Sequence, residues 1–177
     1  QLLAEAEAAI ERIKLGCDLL VGVRLLGDLS QSEQDTLLAN ALIEYISGEP
    51  FTDPTAQRAV KAAQQLPALH WPFEFPEVFA NGGFSAFVSN PPFIGGKRIR
   101  EMLGNAYRSI LHSFYPDSSG NADFCAFFFL QGYQKLHRRG TIGFIATNTI
   151  AQGDTRRTGL DHILDLGATI YNATNDK

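Results

Sequence analysis

The residues best suited to chemistry are four consecutive ones, Asn90, Pro91, Pro92 and Phe93. The Asn90 side chain carries a carbonyl acceptor, and the proline rings hold the adjoining backbone carbonyls in fixed directions. Acceptors that converge on an exocyclic amine would bind both its hydrogens and turn its lone pair toward an electrophile. Phe93 adds a flat face on which a planar ring can stack. The motif therefore fits methyl transfer to the amine of a flipped nucleobase, and the alternative is a plain Asn-Pro turn after a strand.

An alternation of strands and helices must position this motif. Short apolar runs predict strands buried on both faces, and stretches of helical periodicity separate them. We expect strands over 84–89, 140–146 and 168–171, and helices over 98–114, 121–136 and 155–164. This pattern is typical of an α/β fold with a mainly parallel sheet, in which ligands bind beyond the carboxyl ends of the strands. Asn90 and the segment Thr147-Asn148-Thr149 both lie at such ends.

The chain before these elements is helical and has no chemical motif of its own. Ser32 is expected to begin the second helix, with Asp35 in the position that Glu has in a capping box, and Asp53-Pro54 to precede the third. The three predicted helices cover 2–15, with a pattern that continues to about 26, then 32–48 and 55–66. Residues 67–83 are aromatic and broken by proline, which predicts a short extended piece and a turn.

Composition narrows the class of protein. The chain has 177 residues, of which 45% are hydrophobic and 19% charged, and these are globular values. Its apolar runs are too short to cross a bilayer, and no basic segment leads into an apolar run at the N-terminus, so we expect neither a membrane protein nor a secretory signal. Cys17 and Cys125 lie far apart and fit neither a metal site nor a disulfide framework. We therefore expect no metal, and a cytoplasmic location.

The net charge of −4 is unevenly distributed. Residues 1–80 hold five Lys/Arg and twelve Asp/Glu, whereas residues 81–177 hold ten and seven. Since nucleic-acid binding depends on neutralising phosphates, any contact with DNA is expected in the second part. The candidate phosphate contacts are Lys97, Arg98, Arg156 and Arg157. For the last two, the alternative is a solvated helix start.

Several longer segments make a family resemblance specific. FSAFVSNPPF, which ends at Phe93, resembles motif IV of the N6-adenine DNA methyltransferases, in which a strand carries a D/N/S-P-P-Y/F loop. FEFPEVF upstream, and GNADFCAFFFLQGYQKL and GTIGFIATNTIAQGDTR downstream, are similar to blocks that occur in this order in type IIG restriction–modification methylases. The resemblance covers roughly residues 70–172, and the helical first third resembles an insertion that such enzymes place before motif IV.

The resemblance implies a Rossmann-like methyltransferase sheet, with three strands here preceded by an all-helical segment. Residues 1–66 would be a helical insertion or packing segment, and residues 67–177 the C-terminal half of the catalytic domain. Asn90 and Pro91 would orient the N6 amine of a flipped adenine in double-stranded DNA, Pro92 would shape the loop and Phe93 would stack on the base. S-adenosylmethionine would be the methyl donor.

Asp123 and Phe124 would lie in motif V, on the cofactor side. The alternative for Asp123 is a carboxylate at a helix N-terminus. The Gly-rich loop that these enzymes use to bind the cofactor is not found before Asn90. We therefore expect a fragment that spans motifs IV to VIII of a longer enzyme and is inactive alone. The rest of the methyltransferase domain and a target-recognition region would lie elsewhere in the full-length chain. Two alternatives stay open: a related RNA or protein-amide N-methyltransferase, and a non-catalytic nucleic-acid-binding or assembly fragment.

Overall fold

The computed structural model describes residues 2–66 and 69–174. Their contacts separate two units, Gln1–Pro76 and Glu77–Lys177. The first unit is helical, and the second combines helices with a small parallel sheet, so the fold is mixed and dominated by helix. In the described part of the chain, no helix is both long and apolar enough to cross a membrane.

Three helices build most of the first unit: α1 (Leu2–Leu25), α2 (Gln31–Ser47) and α3 (Pro54–Gln64). All three were predicted, but α2 begins earlier than expected. Its cap is Ser30, whose Oγ accepts from the Glu33 N–H at 3.4 Å while the Glu33 carboxylate accepts from the Ser30 N–H at 2.7 Å. Glu reaches back to the cap where the shorter Asp35 cannot, so the reciprocal pair forms at Ser30 rather than at Ser32.

The core of the first unit lies where α1 packs against α3. Val23 and Ala59 are fully buried there. A Cβ on Gly22 would come within 1.9 Å of the Ala59 carbonyl oxygen, so the two backbones approach as closely as they do only because this residue is glycine.

Two short helices, α4 (Trp71–Glu74) and α5 (Pro76–Ala80), occupy the segment for which an extended piece was predicted. That prediction was wrong where these two helices form; residues 67–68 lie outside the described part of the chain. The prolines explain the difference. A proline fits the first turn of a helix, where its missing N–H has no partner in any case, and both helices have one at or next to their first residue.

The second unit follows the order β1 (Phe84–Ser89), α6 (Gly96–Phe114), α7 (Phe124–Gln134) and β2 (Leu136–Phe144). A 3₁₀ turn, a short helix α8, a π turn and a short helix α9 then complete it, over Asn148–Ala151, Gly153–Arg156, Arg157–Asp161 and His162–Asp165. Helix α6 is kinked at Gly104, whose φ of 85° favours glycine.

Strands β1 and β2 are parallel neighbours, as the alternation of elements predicted. Their register joins Phe87 to Ile142 and Ser89 to Phe144. Phe144 packs edge-on against Phe129 of α7 with ring centroids 4.9 Å apart. The prediction that both faces are buried was wrong in this chain, since Val88 is 84% exposed.

The third predicted strand, over 168–171, does not form; these residues are irregular and pair with neither strand. The Ala168 N–H donates to the Ile163 carbonyl at 3.0 Å, and the Gly167 N–H donates to Leu164 at 2.9 Å. These bonds close the end of α9 in a Schellman arrangement. The N–H of Ala168, the first residue of the expected strand, is therefore already used in a hydrogen bond at the end of α9.

Candidate functional site

The candidate site lies at the carboxyl end of the two-stranded sheet. Ser89 and Phe144 are paired, and the Ile145 N–H donates to the Ser89 carbonyl at 3.1 Å. The two chains therefore leave the sheet at the same edge, Asn90 directly after β1 and Thr147 shortly after β2. At the second of these ends, the hydroxyls of Thr147 and Thr149 lie 2.6 Å apart.

The loop after β1 has a buried side and an open side. Pro91 is among the fully buried side chains, whereas Asn90 and Pro92 are exposed and Phe93 is 44% exposed. The Asn90 side chain makes no hydrogen bond to any described residue. Its amide oxygen is thus available as an acceptor, and part of the Phe93 ring is available for stacking.

The loop is attached at its far end to the beginning of α7. The Phe124 N–H donates to the Ile94 carbonyl at 2.8 Å. A Cβ on Gly96 would lie 2.4 Å from the carbonyl carbon of Asn121, so the two backbone segments are in close contact at this point. With Pro91 packed inside, the loop is held at two points on either side of Phe93.

Asp123 caps α7, and its Oδ1 accepts from the Cys125 N–H at 3.0 Å. This is the alternative that the sequence left open for this residue. The neighbouring Phe124 is 7% exposed and makes an edge contact with Phe128 at a centroid distance of 5.3 Å. Burial, followed by the charge of Asp123, raises the pKa of the Cys125 thiol to about 12.

Asp123 and Phe124 were predicted to lie on the side of the cofactor, and their surroundings limit the contacts that they can make with it. Both side chains are at least nine-tenths covered by protein, and one Asp123 oxygen is occupied by the cap. In these positions the two side chains offer a cofactor little open surface. Their role in cofactor binding stays a prediction.

Two threonines that the sequence did not single out hold the segment before α7. The buried Thr155 hydroxyl accepts from the Asp123 N–H at 3.0 Å. One turn later, the Thr158 hydroxyl accepts from the Ser119 N–H at 2.9 Å. Thr155 of α8 therefore holds Asp123, whose neighbour Phe124 is bonded to Ile94 in the loop that carries Phe93. Thr158 of the π turn holds the segment before α7 at Ser119. The only sequence signal was the spacing of two threonines by three residues, which puts them on one helix face.

The four predicted phosphate contacts fall into two groups. Lys97 and Arg98 lie exposed at the start of α6, without an ion-pair partner among the described residues. Arg156 donates to Asp161 at 2.9 Å, and Arg157 is paired with Asp154. Hydrogen bonds from Arg157, and then from Ser119 and Asn121, lower the pKa of Asp154. Each of these two arginines thus already has a carboxylate partner.

No group of three or more His, Cys, Asp or Glu side chains within residues 2–66 and 69–174 is arranged to hold a metal ion.

The chain was compared with known protein families. The family model described as Eco57I restriction-modification methylase matches residues 7–165, which cover most of each unit and include the loop after β1. No curated protein and no solved structure matches the chain.

Proposed function

Because the chain belongs to the Eco57I restriction-modification methylase family, we propose that it binds and orients the N6 amine of a flipped adenine in DNA for methylation. S-adenosylmethionine is the proposed donor in the intact protein. The methylated site would protect DNA in a restriction–modification system in the cytoplasm.

The observation that carries the proposal is the loop Asn90–Phe93 at the carboxyl end of β1. Its Pro91 is buried, its Asn90 amide has no hydrogen-bond partner among the described residues, and its Phe93 ring is partly open. An acceptor and a flat apolar surface side by side are what a planar ring with an exocyclic amine requires.

The proposed chemistry at this loop concerns the amine alone. The Asn90 Oδ1 and a backbone carbonyl of the loop accept the two amine hydrogens, which takes the nitrogen lone pair out of conjugation with the ring. That lone pair then forms the new nitrogen–carbon bond while the bond between the methyl group and the sulfur of the donor would break, with its electron pair staying on the sulfur. One of the two amine hydrogens leaves afterwards as a proton. Since the acceptors are fixed before the base arrives, their effect is greatest in the transition state.

We further propose that the two parts of the chain have different roles in the intact protein. Residues 1–66 serve as a helical insertion or packing segment, and residues 67–177 form the C-terminal half of a Rossmann-like catalytic domain. The cofactor loop and a target-recognition region would lie in other parts of the protein. Val88 is exposed on one face of the two-stranded sheet, so other elements of the intact protein would cover this face.

The test is to replace Asn90 by alanine in the intact protein. Asn90→Ala removes one acceptor of the amine, so the single-turnover methylation rate should fall by a factor of about 100 or more while DNA affinity changes little. Asn172→Ala is the matched control, because the Asn172 side chain is also exposed and makes no hydrogen bond to the described residues. Mass spectrometry of the digested DNA identifies the product as N6-methyladenine.

Two results would contradict the proposal. An unchanged single-turnover rate in Asn90→Ala would remove Asn90 from the reaction. Methylation of RNA guanine or of a protein amide by the wild-type protein, with no methylated adenine in DNA, would favour the related amide and RNA enzymes.

A further inference from the structure

A cleft in the second unit lies against α6, which begins shortly after the loop that carries Phe93. Its volume is ≈ 240 Å³. The side chains and backbone that bound it come from α6 and from the segment that precedes α7, namely Lys97, Arg100, Glu101, Arg108, Gly120 and Asn121.

The cleft has a strong excess of positive charge. Three cations and one carboxylate contribute to its lining. Lys97 and Arg100 are exposed and have no ion-pair partner among the described residues, so the Glu101 carboxylate offsets the positive charge of the cleft only in part. Arg108 is held in place by a hydrogen bond from its Nη2 to the Gly120 carbonyl at 3.3 Å. This carbonyl contact orients the guanidinium without neutralising it.

The arginines farther along the chain differ in this respect. Arg156 and Arg157 are both paired with carboxylates of their own segment. An anion that approached them would have to displace Asp161 or Asp154, whereas the cations of the cleft have no ion-pair partner within the described part of the chain. The cleft is therefore the better anion site of the two.

The cleft is also close enough to the catalytic loop to contact the same DNA strand. Lys97 follows Phe93 by four residues, which limits their separation to about 14 Å. Duplex DNA carries one phosphate charge for about every 1.7 Å of its axis, so several phosphates lie within that distance of a base at Phe93.

From these observations we propose that the cleft binds a backbone phosphate of DNA near the flipped adenine, with Arg100 and Arg108 as its principal ligands beside Lys97. This assignment rests on the proposed function. A phosphate contact fixes the position of the duplex without reading its sequence. Arg100 and Arg108 are thus positioning residues for the base that enters the loop.

The experiment measures DNA affinity of the intact protein as a function of salt. Arg100→Gln should raise the Kd for a duplex with the target sequence and for an unrelated duplex by a similar factor, roughly tenfold at low salt. The slope of log K against log salt concentration should become smaller by about 1, as expected for the loss of one phosphate contact. Lys97→Gln combined with Arg100→Gln should reduce the slope further.

Arg139→Gln is the matched control. Arg139 is an exposed cation of β2 in the same unit, near the end of the sheet opposite to the loop. Arg139→Gln removes the same charge as Arg100→Gln, so it controls for the long-range effect of net charge on DNA affinity. Thermal unfolding of all variants checks that none has lost its fold.

The inference is wrong if Arg100→Gln and Arg139→Gln have the same Kd and the same salt slope. It is also wrong if Arg100→Gln weakens the binding of S-adenosylmethionine and leaves that of DNA unchanged, because the cleft would then hold a cofactor carboxylate. Both outcomes are independent of the proposed function, which fails instead when the wild-type protein does not methylate adenine.

Discussion

Replacement of Phe93 separates stacking on a flipped base from a merely structural role in the loop. Phe93→Ala removes the ring, whereas Phe93→Trp keeps a flat aromatic surface. The ring is 44% exposed, so a substantial part of it is free to meet a base while the rest packs against the protein. We expect Phe93→Trp to keep much of the activity and Phe93→Ala to lose most of it.

The size of the effect follows from the energy of a stack. Contact of one base with an aromatic ring contributes about 1–3 kcal/mol, which corresponds to a change of about 5- to 150-fold in the population of the flipped base. Extrusion of a base costs a few kcal/mol, so a loss of this size decides whether the flipped state is populated. The single-turnover methylation rate should fall by a similar factor.

The assay combines that rate with fluorescence of 2-aminopurine placed at the target adenine. Binding of the wild-type protein should raise the fluorescence, because the probe leaves its neighbours in the duplex. Since stacking on an aromatic ring also quenches the probe, the informative quantity is the difference between variants. Phe114→Ala serves as the control, because Phe114 is 52% exposed and lies at the end of α6.

One result would refute the reasoning. If Phe93→Ala gives the wild-type fluorescence change and the wild-type single-turnover rate, Phe93 is only a turn residue and the base is held elsewhere.

Two further predictions concern the structure behind the loop. Thr155→Val should lower the free energy of unfolding by about 1–3 kcal/mol in denaturant titrations, because it leaves the buried Asp123 N–H without an acceptor. The control is Thr141→Val at an exposed position, which should change the free energy of unfolding by no more than about 0.5 kcal/mol. Equal effects of the two substitutions would contradict the assigned hydrogen bond. The Cys125 thiol, whose pKa is raised to about 12, stays protonated at pH 8 and should resist alkylation until the protein unfolds, while the less buried Cys17 reacts first. Peptide mapping checks the order, and labelling of native Cys125 at the rate of Cys17 would contradict it.

The parts of the fold that sequence predicts well depend on neighbouring residues. Helix α3 begins where Asp53 and Pro54 indicated, and the Asp53 carboxylate accepts from the Thr55 N–H at 2.6 Å. Strand β1 has its predicted bounds because Pro91 and Pro92 cannot continue a ladder. In each case the physical cause lies within a few positions of the boundary.

The errors have causes that lie farther away or that compete locally. Strand β2 begins at Leu136 rather than at 140. The register shifts between Phe84 and Ala86, and this shift lets Leu136 pair with Phe84. Residues 168–171 looked like a strand by composition, but the preceding helix end uses their first N–H. Hydrophobic periodicity does not contain this information.

The residues of the candidate site were predicted from their types, but the contacts that hold them in place were not. Asn90 and Phe93 follow from the motif, whereas the bonds to Thr155 and Thr158 span 32 and 39 positions. A single sequence gives no reason to pair residues at such distances. The same holds for Arg108, which reaches the cleft because α6 changes direction at Gly104.

The supporting contacts and the exposed groups lie on different sides of the loop, and this separation has a consequence for the proposed reaction. Pro91 is buried, and Ile94 is bonded to the backbone of α7, while Asn90 and Phe93 keep surface open to a ligand. If the proposed function is correct, a flipped base would enter without breaking the contacts of Pro91 and Ile94 that hold the loop. Acceptors fixed in advance need little reorganisation when charge develops on the amine, which is the condition under which an acceptor of this kind lowers the barrier most. A loop of the same sequence without its attachment to α7 would keep the hydrogen-bonding groups and lose this advantage.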